Sequence, residues 1–375
     1  MSMTLIEFYD KSPLENIVSS LAIKPKKVVF LGSNTKLMER EMKRYQNLLK
    51  RKEITAEMEC RYIEKNDLEQ IQETLYKVVD ENPRCVIDLT GGDGLSLVAV
   101  GTVAHTLKDK NISFHRVNLN TRKTMEFFGT EPEHDVFDPV LSVEEHIILY
   151  GGFVSDGNEW DWNDEFEADV NKMWEVVRAD CRAWNAQLKL LEGSIKLDTL
   201  KVQKSSKSWD ETLFYRLARA NVISNLEFTG ATLSFNIKNR QIGMVLSKIG
   251  TILELKTYLI SKTLYTDAMT GVCIDWDGIG TENEIDVLCM KGLIPVFISC
   301  KNGSVDGAEL YKLNTVAQRF GGDYAKKALV ATHFDKCQGG MQYFRQRAKD
   351  MNIQLIENVF ELDDKEFARK LKGIM

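Results

Sequence analysis

The sequence predicts an α/β protein that contains more than one domain. Three observations lead to this prediction: a length of 375 residues, an alternation of strands and helices in the first third, and a strand hairpin near the C-terminal end. A single hydrophobic core rarely serves a chain longer than about 250 residues, so two or three domains are expected. We place them at residues 1–148, 149–240 and 241–375.

The composition is that of an ordinary globular protein, with 43% hydrophobic and 28% charged residues. The net charge of -6 argues against a surface that is basic throughout, although it leaves room for a local groove that binds nucleic acid. The seven cysteines are scattered, which predicts reduced thiols rather than a disulfide framework or a zinc site. No apolar stretch reaches membrane-spanning length and no signal peptide is recognisable, so we expect a cytoplasmic protein without a membrane partner.

The first region is predicted to form a parallel, doubly wound sheet. Short apolar runs alternate along it with helical stretches, a pattern typical of consecutive βαβ units. The predicted strands are 26–33, 54–63, 85–90 and 112–119, and the predicted helices are 35–50, 67–80 and 95–108.

Two strand-to-helix turns in this region are candidate phosphate sites. In such sheets ligands bind beyond the carboxyl ends of the strands, and helix N-termini attract phosphates. The same glycines could also serve only to make tight turns. The dinucleotide motif G-x-G-x-x-G and the ATP motif G-x-x-x-x-G-K-[ST] are both absent. The first turn is Gly32-Ser33-Asn34-Thr35, and the second is Thr90-Gly91-Gly92-Asp93-Gly94.

These two turns resemble those of the CRISPR-associated Rossmann-fold (CARF) sensor, over roughly residues 1–145. That family binds cyclic oligoadenylates at a two-fold dimer interface, so the resemblance implies a homodimer activated by cyclic tetra-adenylate or cyclic hexa-adenylate. A bulky residue at Gly91 is expected to block this ligand and to leave the fold intact. The residues that would line the ligand are Ser33, Asn34, Thr35, Thr90, Gly91, Gly92, Asp93, Gly94 and Asn118.

The middle region, 149–240, is predicted to be a linker followed by a helical spacer. Gly151 and Gly152 mark its beginning. An apolar stripe from Phe166 to Leu191 then predicts one long amphipathic helix, with its tryptophans in the core. A helix at 209–220 followed by a hairpin at 226–235 has the order of elements in a winged helix.

The last region contains a hairpin with a candidate catalytic pair. Two apolar runs of strand length flank a tight turn at Lys291-Gly292, with Asp286 in the first run and Lys301 at the end of the second. An aspartate can bind a hard cation, and a neighbouring lysine can stabilise an attacking water or the charged transition state of phosphodiester cleavage. A structural cross-strand ion pair would give the same pattern.

The order of elements around this hairpin resembles the PD-(D/E)xK restriction-endonuclease-like fold, over roughly residues 241–375. A helix at 241–262 carries Glu254, Asp286 and Lys301 follow on two strands, and a helix begins at Asp306. The E-x-K motif of that family is Ser299-Cys300-Lys301 here, so the second carboxylate is missing from its usual strand. Glu254 or Glu309 would replace it, or Asp286 and a phosphate oxygen would hold the metal alone. The resemblance implies the catalytic residues Glu254, Asp286, Ser299 and Lys301, with Mg²⁺ or Mn²⁺ bound by Asp286 and Glu254.

A CARF sensor joined to such a nuclease resembles the CRISPR ancillary nucleases of type III immunity. This resemblance implies an endonuclease that is activated by a cyclic oligoadenylate, depends on a metal and cleaves DNA or RNA. One alternative is a ligand-sensing regulator that binds nucleic acid through a degenerate nuclease domain, as Ser299 suggests. Another is a nucleotide-dependent oxidoreductase, although the sequence contains no fingerprint of a nicotinamide site.

Overall fold

The computed structural model describes residues 3–107, 112–119, 121, 123–127, 133–134, 139–155, 160–275, 282–303, 305–333 and 340–375. The chain divides into two compact units, Met1–Gly152 and Phe153–Met375. No helix within the described ranges is long and apolar enough to cross a membrane.

Unit 1 is built on a seven-stranded sheet with the order β3-β2-β1-β4-β5-β6-β7. Neighbouring strands are parallel from β3 to β5, and β6 and β7 extend the sheet in antiparallel fashion. The doubly wound sheet predicted from the sequence is therefore present. Its elements are β1 (Thr4–Phe8), α1 (Glu15–Ile23), β2 (Lys27–Gly32), α2 (Thr35–Arg51), β3 (Glu57–Tyr62), α3 (Leu68–Glu81), β4 (Cys85–Asp88), α4 (Gly94–Ala104), β5 (Ile112–Asn118), β6 (Lys123–Phe127), β7 (Glu133–His134) and α5 (Val143–Leu149).

Strand β1, which the sequence analysis missed, lies at the centre of this sheet between β2 and β4. Its Glu7 is buried and pairs in register with Asp88 of β4, which in turn pairs with His115 of β5. Burial, and then the negative charge of Asp88, raise the pKa of Glu7 well above its ordinary value. Ser20 donates a hydrogen bond of 3.3 Å to Oε1 of Glu7, whereas Oε2 has no hydrogen-bond partner among the described residues.

Replacing Glu7 by glutamine is expected to stabilise the protein at high pH. The folded state retains a proton that the unfolded state releases above the ordinary pKa of 4.5. The free energy of unfolding of the parent therefore falls as the pH rises from that value to the raised pKa. Thermal unfolding from pH 5 to pH 9 should show a gain for Glu7→Gln that grows with pH. Glu57→Gln, at an exposed carboxylate on β3, is the control. A stability gain for Glu7→Gln that does not depend on pH, or that Glu57→Gln equals, would contradict the raised pKa of Glu7.

Unit 2 contains a six-stranded mixed sheet with the order β16-β15-β14-β13-β12-β8 and a smaller sheet with the order β10-β11-β9. The hairpin predicted from the sequence is formed by β13 and β14 at the centre of the larger sheet. The elements are β8 (Phe153–Val154), α6 (Asp164–Ala179), α7 (Cys181–Leu191), β9 (Lys201–Ser205), α8 (Glu211–Arg219), β10 (Ile223–Thr229), β11 (Thr232–Ile237), α9 (Arg240–Ser247), α10 (Thr251–Ser261), β12 (Asp267–Asp275), β13 (Glu282–Lys291), β14 (Ile294–Lys301), α11 (Gly307–Gly321), β15 (Lys326–Ala331), α12 (Met341–Asp350), β16 (Ile353–Ile356) and α13 (Asp364–Lys372).

Two helices that were predicted to be continuous are broken in the structure. The amphipathic stretch after Phe166 is interrupted at Asp180, whose side chain accepts a hydrogen bond of 2.8 Å from the backbone N–H of Ala183 and so begins α7. The helix predicted at 241–262 is interrupted at Lys248, which has an extended backbone between α9 and α10. The apolar periodicity continues across both breaks, which is why it did not reveal them.

One hydrophobic core connects the predicted spacer with the hairpin strands. Trp174 of α6 and Trp184 of α7 are buried in the same cluster as Val287 of β13 and Ile298 of β14. Both tryptophans therefore pack in the core, as their positions on the apolar stripe predicted. The separation of 149–240 from 241–375 as two domains stays a prediction.

Candidate functional site

The β13–β14 hairpin fixes the position of the Asp286 carboxylate. The strands are antiparallel with Val287 opposite Ile298, which brings Asp286 next to Ser299. Oδ2 of Asp286 accepts a hydrogen bond of 2.6 Å from the backbone N–H of Cys300 and one of 3.1 Å from the Ser299 hydroxyl. The Ser299 hydroxyl thus orients the Asp286 carboxylate and contributes no charge of its own.

Lys301 forms an ion pair with Glu309 rather than with Asp286. Its Nζ lies 2.9 Å from Oε2 of Glu309, and Nζ of Lys312 approaches the other carboxylate oxygen at 3.5 Å. Burial alone would lower the pKa of Lys301, but Glu309 and Asp286 outweigh it and raise that pKa. Lys301 is therefore a fixed cation at neutral pH. Because Glu309 is engaged by the two lysines, Glu254 is the better candidate for the second acid.

Glu254, on helix α10, belongs to the same electrostatic environment as Asp286. Burial, and then the negative charges of Asp286 and Glu284, raise the pKa of Glu254 to about 8. Burial also raises the pKa of Asp286, although the hydrogen bond from the backbone N–H of Cys300 acts to lower it. Two desolvated carboxyl groups that repel each other destabilise the fold unless a cation or a proton neutralises them.

A cavity of about 560 Å³ lies in front of Asp286. This volume is within the range of about 300–1,000 Å³ that small-molecule sites occupy. Its polar lining includes Asp286, Ser299, Lys301 and Glu309, and on α11 also Tyr311 and Lys312. Tyr311 and Lys312 were not predicted as site residues, because only the packing of α11 against the sheet brings them to the cavity.

The two carboxylates fit a hard divalent cation. Mg²⁺ commonly uses one or two protein carboxylates and takes its other ligands from water and substrate phosphates. Asp286 lines the cavity, whereas Glu254 is not among the lining residues and acts on Asp286 through its charge. A cation bound by both carboxyl groups would offset the repulsion described above. Among the residues that the structure describes, no group of three or more histidine, cysteine, aspartate or glutamate side chains is arranged to hold a metal ion.

The two predicted sensor turns lie at one edge of the sheet in unit 1. Strands β2, β1 and β4 are parallel neighbours, so their carboxyl ends meet at this edge. The chain runs from β1 outwards to β2 and β3 and then returns to β4, so the strand order reverses between β1 and β4. Ligands bind at such a topological switch point. The loop after β1, which includes Asp10 and exposed Lys11, also lies here and was missed because β1 itself was missed.

Much of the second turn is held by contacts within the fold. The Thr90 hydroxyl donates a hydrogen bond of 2.7 Å to Asp88 and accepts one of 2.8 Å from the backbone N–H of Val117. The backbone N–H of Gly92 donates to the Asp10 carboxylate at 3.2 Å. The Asp93 carboxylate accepts a hydrogen bond of 2.9 Å from the backbone N–H of Ser96 and so begins α4.

The two glycines differ in the space around them. A Cβ atom at Gly91 would lie 3.1 Å from Cβ of Asp10 and 3.2 Å from the backbone oxygen of Phe8, so a bulky residue there would disturb the end of β1. The neighbours of Gly91 would have to move by a few tenths of an ångström, so an intact fold after such a substitution stays a prediction. Apart from its chain neighbours and the backbone of its own helix, no described atom lies within 4 Å of a Cβ atom built at Gly94, which is exposed at the first position of α4.

The remaining predicted sensor residues lie at the same edge. Ser33 and Asn34 are exposed. Helix α2 begins at Thr35, and the preceding Asn34 caps it by accepting a hydrogen bond of 3.1 Å from the backbone N–H of Leu37. Asn118 ends β5, next to β4, and accepts a hydrogen bond of 3.1 Å from the backbone N–H of Thr121.

The sequence matches no protein-family model and no curated protein. The structure is similar to that of Can2 from Sulfobacillus thermosulfidooxidans in complex with cyclic tetra-adenylate, with 15% identity over 99% of this chain and 96% of that one and a TM-score of 0.72. The structure is also similar to that of the protein VC1899 from Vibrio cholerae. The two share 16% identity over 99% of this chain and 97% of that one, with a TM-score of 0.79.

A third similar structure is that of a type III CRISPR defence DNA nuclease activated by cyclic oligoadenylate. It shares 14% identity over 90% of this chain and 46% of that one, with a TM-score of 0.54. The chain therefore has the fold found in Can2 and in this CRISPR defence nuclease, as the resemblance noted in the sequence implied.

Proposed function

We propose that the protein is a metal-dependent endonuclease that a cyclic oligoadenylate activates. The observation that carries this proposal is the Asp286 carboxylate, which two hydrogen bonds fix at a cavity that also presents the ammonium group of Lys301. A fixed carboxylate beside a fixed cation suits phosphodiester cleavage, in which negative charge accumulates on the phosphate.

Each residue of the site has a distinct role in this proposal. Asp286 and Glu254 would hold Mg²⁺ or Mn²⁺, which supplies a Lewis acid and lowers the pKa of a bound water. Lys301, held by Glu309, places its positive charge against the phosphate oxygens as charge develops on them. Ser299 keeps the Asp286 carboxylate in its orientation. The cavity positions the phosphodiester in front of these groups.

The sensor part of the proposal is supported by the switch point of unit 1. Two helix N-termini, those of α2 and α4, begin at this edge and offer backbone N–H groups to an anionic ring. Cyclic tetra-adenylate is the first ligand to test, because the similar Can2 structure contains it. A cyclic ligand suits a two-fold site, and Leu97 and Val98 of α4 are 39% and 52% exposed, which gives a homodimer an apolar surface to cover.

A regulator that binds nucleic acid without cutting it is the second candidate. Ser299, in the place of the second acid of the E-x-K motif, favours it. A cleavage assay separates the two. Single- and double-stranded DNA and RNA are incubated with Mg²⁺ or Mn²⁺, with cyclic tetra-adenylate, cyclic hexa-adenylate or neither. The nuclease proposal expects cleavage that needs both metal and activator, and binding without cleavage would support the regulator.

Replacing Gly94 by leucine is expected to weaken the binding of cyclic tetra-adenylate roughly tenfold or more, because the new side chain would occupy open space at the N-terminus of α4. Thermal stability should be unchanged, since the space around Gly94 is empty. Calorimetric titration measures the affinity. Gly307→Leu is the matched control, because Gly307 also follows an aspartate N-cap and has no atom within 4 Å of its Cβ position. Equal affinities for the parent and Gly94→Leu would remove α4 from the ligand site.

A further inference from the structure

Two exposed tyrosines flank an arginine beside the catalytic cavity. Tyr311 lies on α11, and Tyr343 and Arg347 lie one turn apart on α12. The guanidinium carbon of Arg347 lies 5.4 Å from the ring centroid of Tyr311 and 5.1 Å from that of Tyr343. Arg347 also donates a hydrogen bond to each tyrosine hydroxyl. We call these three side chains the Tyr–Arg–Tyr stack.

The three side chains of the stack contact one another and are nevertheless open to solvent. Tyr311 is 47% exposed and Tyr343 is 57% exposed, so a large part of each ring surface remains available. Hydrogen bonds and cation–π contacts hold the guanidinium of Arg347 in place. A side chain that is already held in one geometry loses little conformational entropy when a ligand binds it.

The stack is continuous with the catalytic cavity. Tyr311 lines that cavity together with Asp286 and Lys301, and it contacts Arg347 as well. The adjacent Lys312 also lines the cavity, and its side chain is 73% exposed. A strand whose scissile phosphate lies at Asp286 would therefore meet aromatic rings and positive charges next.

Aromatic rings combined with an arginine are the chemistry that binds single-stranded nucleic acid. Bases stack on exposed aromatic rings, and the planar guanidinium contacts phosphate oxygens through several donors. Stacking on a protein ring requires a free base face, which a base inside a duplex does not have.

We propose that the Tyr–Arg–Tyr stack binds an unpaired nucleobase and its adjoining phosphate on the strand that enters the cavity. This inference rests on the proposed nuclease function. The three residues position the strand and do not contact the reacting atoms. Losing one stacking contact should therefore weaken strand binding and leave the chemical step unchanged.

Fluorescence anisotropy with a labelled single-stranded oligonucleotide tests the inference on the full chain, in EDTA and in the presence of cyclic tetra-adenylate. Tyr343→Leu should weaken binding by about five- to a hundred-fold, the range expected for the loss of one stacked base. Tyr343→Trp should restore it, since indole also stacks. Tyr215→Leu, at a tyrosine of α8 that is 50% exposed, is the matched control and should bind like the parent.

A parallel cleavage assay with Mg²⁺ should show a higher KM for Tyr343→Leu and an unchanged kcat. If Tyr343→Leu binds as well as the parent, or if tryptophan fails to restore binding, the inference is overturned even when the parent cleaves its substrate. If Tyr343→Leu weakens the binding of a duplex as much as that of a single strand, the stack does not recognise an unpaired base and the inference fails. If the parent never cleaves but Tyr343→Leu selectively loses the single strand, the proposed nuclease function fails and the subsite stands.

Discussion

Replacing Asp286 by asparagine is expected to abolish cleavage, with a loss of at least about a thousandfold in rate, the size seen when a central catalytic group is removed. The amide oxygen of asparagine can still accept the hydrogen bonds from Cys300 and Ser299, so the hairpin should keep its geometry. Only the negative charge is lost. Asp286→Asn should also lack the thermal stabilisation that we expect Mg²⁺ or Mn²⁺ to give the parent, because the cation would lose its main protein charge.

Asp267→Asn is the control for this experiment, because Asp267 pairs with Met290 at the other end of β13. It should cleave like the parent and respond to metal like the parent. Activity retained by Asp286→Asn at saturating metal and activator would show that the carboxylate is structural. A metal-induced rise in melting temperature that persists in Asp286→Asn would place the cation elsewhere.

Replacing Lys301 by glutamine is expected to slow cleavage about a hundredfold or more, the loss typical of one electrostatic contact to the transition state. Lys301→Gln retains the carboxyl groups of Asp286 and Glu254 and removes only a nearby positive charge, so the thermal stabilisation expected from the metal should persist. This combination separates the role of Lys301 from that of Asp286. Glu309 would lose its ion pair with Lys301, but Lys312 remains 3.5 Å from its carboxylate.

Lys291→Gln is the control for this second variant, because Lys291 lies on β13 at the turn end of the same hairpin. Its rate should equal that of the parent. A Lys301→Gln protein that cleaves as fast as the parent would reduce the Lys301–Glu309 contact to a structural ion pair. A loss of activity together with the loss of metal stabilisation would mean that Lys301 organises the carboxylates instead.

The hairpin was predictable because its information is local. Two apolar runs separated by a tight turn determine the register of the two strands to within one residue. The structure places the turn at Gly292-Leu293 instead of Lys291-Gly292. That pairing by itself brings Asp286 next to Ser299. The partner of Lys301 was not local, because Glu309 reaches it only when α11 packs against β14. The sequence therefore predicted Asp286 as the partner of the lysine and offered Glu309 only as a replacement for the missing second acid.

Strand β1 shows the opposite case in unit 1. It has five residues, and Glu7 interrupts its apolar pattern, so periodicity gives little signal. It is a strand because β2 and β4 pair with it on both sides, a tertiary effect that local propensity does not contain. Missing β1 hid the switch point, and with it the loop that contains Asp10 and Lys11.

The measurement that tests the central claim most directly is a titration of cyclic tetra-adenylate in which ligand binding and initial cleavage rate are followed on the same preparation. If the ligand activates the nuclease site, the cleavage rate rises from a low basal value, and its midpoint matches the dissociation constant measured by calorimetry. Asp286→Asn should bind the ligand with the same affinity and remain inactive throughout. A cleavage rate that does not change while the ligand saturates its site would contradict the account.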